Sequence, residues 1–326
     1  MEDLKMHSRT QRLLIWNPLP VALKHYVEAL SAHLQKNNIA PEIRSRSVEQ
    51  QSGTAKIWVA LRILTSRIVP SRSPVLVVWP AFGFLEAATW SVQALFSKVY
   101  IIIHDVNPLI RAQGHGSAAL LLFRLACLMP RIHIICHTSE AAEELRSTSR
   151  VIAMVVRHPM MMPQYPDDHV QSNRQTMVSV LGQYKPTRSI SALTEISDEV
   201  GACDINLMIA GRGWPEVRGW TVDDSFISEL EFGQFLKASA CIVIPYDRFY
   251  QSGIAVRALE QCTAVVAPRH PHIEQLFGTD WPGFSDSGWA QALSCVIELD
   301  KVSIYIRAKS AYESVDQSWK HFCTEL

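Results

Sequence analysis

Residues 176–188 read TMVSVL-GQYKPTR, and this stretch decides how the second half of the chain folds. Thr176, Val178 and Val180 are β-branched, Leu181 is apolar, and Gly182 ends the run, which is the pattern of a short buried strand. A glycine directly after such a strand lets the backbone turn tightly and leaves room beside it. Lys185 and Arg188 then bring two cations near that turn, where a diphosphate can be gripped. Taken alone, the stretch reads first as an ordinary strand-to-helix loop with exposed basic residues, and only second as a phosphate site.

Working outward, the same alternation continues. Toward the C-terminus come a helix at residues 189–200, a strand at 206–210, a polar connector from Trp214 to Asp224, a helix at 228–238 and a strand at 241–245. A helix at 252–261, a strand at 264–268 and a terminal helix or helix pair from 307 complete this half. Toward the N-terminus, strands are predicted at 12–16, near 43–45, and at 75–79, 99–103, 132–137 and 151–155. Helices are predicted at 23–36, 55–68 and 116–129, with another opening at Ser139. Strands alternating with helices argue for parallel sheets covered on both faces. The Pro- and Met-rich stretch from His158 to Asp168 has no period and marks a boundary. The expected division is 1–165, 166–305 and a closing helix at 306–326.

In parallel sheets of this kind ligands bind beyond the carboxyl ends of the strands, so the residues just after each strand are the candidates. Gly211-Arg212-Gly213 follows the apolar run NLMIA but is only a fragment of the dinucleotide fingerprint. Tyr246 and its neighbours lead to Ser252-Gly253 at a helix start, where free N–H groups and the helix dipole suit a phosphate. The competing reading is Ser252 as an ordinary N-cap. Glu260, eight residues on, faces either a ribose hydroxyl or solvent. In the first half, His104-Asp105-Val106-Asn107-Pro108 follows a strand, and His and Asp there can act on a hydroxyl as base or orienting group. The plainer alternative is a loop with Asn-Pro turn chemistry. Asn17-Pro18 is a similar case. His137 to Ser139 reads as a helix cap, the three methionines at 160–162 as packing, and the scattered tryptophans as packing, with one free to stack on a sugar or base.

Composition narrows the classes. At 326 residues the chain suits two domains of about 150 residues each. Lys plus Arg and Asp plus Glu both number 31, and no long run of like charge occurs, so no nucleic-acid partner is expected. Seven cysteines without a CxxC pair read as buried thiols in a reducing compartment, and no metal-ligand cluster stands out. The polar N-terminus has no signal-peptide core, and the apolar runs are too short to span a bilayer, so a cytoplasmic protein is expected. Residues 56–72, with Arg62, Arg67 and Arg72 between apolar residues, read first as a core-facing helix with a basic outer face. The second reading is a segment in peripheral contact with a membrane.

Taken in order, these stations resemble the GT-B glycosyltransferases, specifically the bacterial sugar transferases with a glycogen-synthase-like second domain. LGQYKPTR resembles the family's G-(R/Q)-x-x-x-x-K opening, with Arg188 at the Lys position. LMIAGRG, FLKASACIVIPY and QSGIAVRALEQCTAVVAP resemble its following stations, as do HDVNP and CHTSEAAEEL in the first half. The tail SVDQSWKHFCTEL resembles the helix that crosses back to the first domain. Two departures stand out: Ser252 where the paired-glutamate motif has its first Glu, and Gln183 where the family usually has Arg. They leave retention or inversion open. The resemblance implies two Rossmann-like, doubly wound α/β domains around a cleft and transfer of a sugar from a nucleoside diphosphate sugar to a glycan or lipid-linked acceptor hydroxyl. It implies no cofactor and no bound metal. Gly182, Lys185, Arg188, Gly211, Tyr246, Ser252, Gly253 and Glu260 would hold the donor. Asn17 and Asn107 would meet the acceptor, and His104 and Asp105 would be catalytic. A nucleotide-sugar epimerase of the same fold, or an inactive nucleotide-sugar-binding partner of a transferase, are the alternatives.

Overall fold

The computed structural model describes residues 11–45, 72–108, 114–165, 176–200 and 205–326. The chain divides into two compact units, Met1–Pro159 with Val315–Leu326, and Met160–Ser314.

The first unit runs β1 (Gln11–Asn17), α1 (Lys24–Lys36), β2 (Ile39–Ser45), β3 (Val75–Val77), α2 (Gly83–Thr89), α3 (Ser91–Ala94), β4 (Val99–Ile102), α4 (Ser117–Ala126), β5 (Ile132–Cys136), α5 (Ser139–Ser149) and β6 (Ala153–Val155). Its strands order as β2-β1-β3-β4-β5-β6, all parallel. The central strands β3 and β4, VLV and VYII, are buried throughout, as strands covered on both faces must be. Helix α1 sets Tyr26, Leu30, His33 and Leu34 inward at spacings of three and four, and α5 starts at Thr138, whose hydroxyl accepts the Ala141 N–H. The last residues of the chain close this unit. Trp319 and Phe322 are fully buried, Phe322 stands edge-on to Tyr100 at 5.0 Å, and Asp316 accepts from His33 and Lys36 at 3.2 and 2.7 Å.

The second unit runs β7 (Thr176–Leu181), α6 (Ile190–Val200), β8 (Ile205–Ala210), β9 (Thr221–Asp223), α7 (Glu229–Ala238), β10 (Cys241–Val243), α8 (Gly253–Glu260), β11 (Ala264–Val266), α9 (Pro271–Phe277) and α10 (Trp289–Ile297). Its strands order as β11-β10-β7-β8-β9, again all parallel. Ser228 and Glu231 cap α7 reciprocally.

Each sheet has one place where the chain reverses its direction of growth. In the first unit it lies between β1 and β3, in the second between β7 and β10. Strand carboxyl ends diverge there and leave a crevice, which is where such sheets bind ligands.

Several sequence expectations need correction. The connector 214–224 contains β9, which joins the sheet edge beside β8. Helices α2, α3, α9 and α10 were not expected. The tail is one long helix, α11 (Lys301–Glu325), beginning before residue 307. The helix expected at 55–68 lies outside the described residues, as does the basic segment 56–72 except Arg72, and so does residue 203.

Candidate functional site

The switch point of the second unit gathers most of the donor residues expected from sequence. Gly182, just past β7, has φ +88°, and Gly211, just past β8, has φ +145°, both conformations that favour glycine. The two approach closely: a Cβ on Gly211 would stand 2.4 Å from the Gly182 carbonyl oxygen. A Cβ on Gly182 would stand 3.2 Å from Arg188 Nη2 and 3.4 Å from Ile254 Cδ1. The turn after β7, the Arg188 guanidinium and the first turn of α8 therefore converge on one spot.

Arg188 is only 6% exposed. Its Nη1 donates to the carbonyls of Leu181 and Gly182 at 3.0 and 3.1 Å, and Nη2 donates to the Tyr246 hydroxyl at 3.2 Å. The guanidinium lies over the rings of Tyr246 and Trp214, at 4.9 and 5.3 Å from their centroids. None of these partners is a carboxylate, and the buried Nε–H meets no acceptor among the described residues. Burial pushes this guanidinium below its ordinary value, opposed by Tyr246. A buried cation held by neutral groups leaves the crevice biased toward an anion.

The loops that carry these groups are tied together. The backbones of Arg188 and Tyr246 form an antiparallel bridge, Ser189 N–H donates to Pro245 O at 2.7 Å, and Asp247 N–H donates to Thr187 O at 2.9 Å. Trp214 donates its indole N–H to Gly182 O at 2.8 Å and packs against Tyr184 at 5.1 Å. From sequence alone Trp214 reads as a packing residue. Its position directly behind Gly211-Arg212-Gly213 is the signal that marks it as part of this loop cluster.

Ser252 caps α8, its hydroxyl accepting the Ala255 N–H at 3.3 Å, so its side chain serves the helix. Gly253 is exposed, with none of the described residues within 4 Å of the place a Cβ would take. Lys185 is half-buried. Glu260, at the far end of α8, is buried, and its Oε1 accepts the Met161 N–H at 2.6 Å. Two turns of helix thus separate it from Ser252, and one of its oxygens holds the incoming chain.

In the first unit the carboxyl ends of β3, β4, β5 and β6 carry a cluster of rings. Tyr26, His104, His137 and His158 are all buried. Tyr26 lies 5.3, 5.7 and 5.0 Å from His104, His137 and His158, and Trp79 stacks on His104 at 4.6 Å. His104 Nε2 donates to Val78 O at 2.7 Å, and His137 Nδ1 donates to Val156 O at 2.6 Å. The Tyr26 hydroxyl donates to His137 Nε2 at 2.9 Å, and burial holds that phenol well above its usual range. These imidazoles donate to carbonyls just past β3 and β6. Asn17 is buried, with Oδ1 accepting the Leu19 N–H at 3.0 Å; Asp105 is half-buried and Asn107 exposed. The sequence reading did not find Tyr26, Trp79 or His158.

Among the described residues no group of three or more His, Cys, Asp or Glu side chains is arranged to hold a metal ion. No described helix is long and apolar enough to cross a membrane.

No family model matches the sequence, and no curated protein matches it. Solved structures do match in shape. The N-terminal domain of Candida albicans trehalose-6-phosphate phosphatase aligns over 98% of this chain and 97% of its own, at 9% identity and TM-score 0.63. A Rickettsia africae glycosyltransferase aligns over 97% of each chain, at 9% identity and TM-score 0.63. The UDP-forming α,α-trehalose-phosphate synthase of Burkholderia vietnamiensis aligns over 97% of this chain and 99% of its own, at 9% identity and TM-score 0.60. At such identities the likeness is one of architecture. The two parallel-stranded α/β units of this chain have the GT-B fold.

Proposed function

We propose that this protein transfers a sugar from a nucleoside diphosphate sugar to a hydroxyl of a glycan or lipid-linked acceptor. The observation that carries the reading is the convergence of Gly182, Arg188 and the first turn of α8 at the β7/β10 switch point. A buried cation without an acid, a glycine-shaped gap and an open helix N-terminus together favour a diphosphate. The solved neighbours named as glycosyltransferases, one of them UDP-forming, agree by analogy of fold.

In this reading the α8 amides at Ser252-Gly253 and the Lys185 and Arg188 cations take up charge that grows on the departing diphosphate. Gly211 keeps the neighbouring loop out of the ligand's way. Tyr246 holds Arg188 in place. Glu260 lies on the ribose side, two turns down α8. At the first unit's strand ends, Asp105 is the group offered to the acceptor hydroxyl, beside His104, with Asn17 and Asn107 flanking them.

The test uses the Gly253→Asp variant. Aspartate at the first helical position favours the helix and has open space here, so melting is expected to hold or rise slightly. The same carboxylate stands where the phosphate would, so calorimetric affinity for UDP-, GDP-, dTDP- or ADP-sugars should fall by about tenfold or more. Equal affinity in wild type and variant overturns the phosphate site. Donor breakdown or epimerisation with no acceptor present replaces transfer with another reaction at the same site.

A further inference from the structure

Helix α4 is apolar on the wrong side as well as the right one. Ala119, Phe123 and Ala126 face inward and are buried. Leu121, Leu122, Leu125 and, just beyond, Leu128 follow a second helical stripe and are exposed, Leu128 by 79%. A helix apolar all round belongs in a core or against a nonpolar phase. The neighbouring helices continue the face: Leu85 on α2, Val92 on α3, and Leu95 and Phe96 after it are exposed, Leu95 by 62%. Leu85, Ala88, Leu122, Leu125 and Met129 line one shared groove of about 400 Å³. Scattered exposed leucines need no explanation, but a contiguous group of this size marks a contact surface.

Charge selects the occupant. Residues 81–98 and 114–131, which build this face, contain a single acid, Glu86, and it is buried with its carboxylate on the Phe82 N–H. Their cations are Lys98, which donates to the Glu325 and Leu326 carbonyls, Arg124, which donates to those of Thr148 and Ser149, and the exposed Arg131, which donates to the Leu95 carbonyl at the edge of the patch. An exposed apolar face with basic residues and no exposed acid in its own segments matches an anionic bilayer. A protein partner would need apolar and acidic groups of its own opposite these.

We propose that the α2–α3–α4 face of the first unit docks onto an anionic lipid membrane, with the leucines entering the acyl boundary and the Lys and Arg side chains meeting headgroups. The proposal does not rest on sugar transfer. Vesicle capture is measured without donor or acceptor, so a chain that docks but transfers nothing upholds this proposal and fails the other.

The full chain is sedimented with phosphatidylglycerol-rich vesicles and with phosphatidylcholine vesicles. Capture by the anionic vesicles that weakens with added salt is expected, with a loss of about tenfold in the Leu125→Glu/Leu128→Glu variant. Both side chains are exposed, so melting should be unchanged; if the pair disturbs folding, Leu128→Gln alone serves. Wild type that stays in the supernatant, or variants that sediment equally, overturn the proposal. A dimer in light scattering that the same substitutions dissolve overturns it in favour of a second copy.

Discussion

The strand ends of the two units put the same parallel topology to opposite uses. At β7/β10 the strand ends are lined by glycines at positive φ, backed by a buried arginine, and open at Gly253. Beyond the carboxyl ends of β3 to β6 in the first unit the equivalent space is packed with Tyr26, Trp79 and three histidines, of which His104 and His137 donate to carbonyls just past β3 and β6. The crevice that parallel topology creates is thus only an opportunity. Small residues with a cation keep it available to an anion, whereas rings fill it with uncharged surface.

Four measurements sharpen or break this contrast, the largest effect first. Gly211→Ala puts a Cβ against the Gly182 oxygen at φ +145°, so it should cost about 3 kcal/mol or more and abolish nucleotide-sugar binding. Urea unfolding with unchanged stability would show that the gap is not shaped by these glycines. Arg188→Lys keeps the charge but loses the fork that spans Leu181, Gly182 and Tyr246. A loss of about 2 kcal/mol in stability is expected, and full retention of stability and donor affinity would reduce Arg188 to a bystander.

In the packed crevice, Tyr26→Phe removes the hydroxyl from buried His137 Nε2. It should cost about 1–2 kcal/mol while donor affinity in calorimetry stays unchanged; a fall in affinity would mean the two sites are not independent. Asp316→Asn should cost least, about 1 kcal/mol at pH 7. Burial would raise the Asp316 carboxyl, but hydrogen bonds from Lys36 and His33 outweigh it and hold the carboxyl below its ordinary value. A depressed carboxyl stabilises the fold above its unfolded pKa and loses that contribution as pH falls through the folded one. The gap between wild type and variant in melting temperature should therefore close on acidification below about pH 4. A gap that persists at low pH would rule out the ionised pair as its source.

The elements that sequence revealed are those with a period or a sharp stop. Residues 176–181 alternate β-branched positions and end at Gly182, and α1 spaces its apolar side chains as a helix does. The stretch 79–97 defeated the same reading because it is apolar nearly throughout, and Phe82 before α2 offers no capping side chain. The three residues of β9 are too few to show alternation. Gly182, Arg188 and Ser252 were legible because candidate residues follow strands, a rule that topology guarantees. The ring cluster was not, since Tyr26 meets His137 across 111 residues and no local pattern announces such a pairing.

Glu260 carries a practical corollary. Its carboxylate, buried at one end of α8, grips the amide of Met161, while Gln164 O accepts from Cys262 Sγ and Tyr165 packs on Tyr305. A fragment of the second unit that starts at β7 would lose the Met161 amide, the Gln164 carbonyl and the Tyr165 ring together. Recombinant versions of the C-terminal half should therefore keep residues 160–165 as an N-terminal leader, and versions trimmed to the first residue of β7 are expected to express as unstable protein.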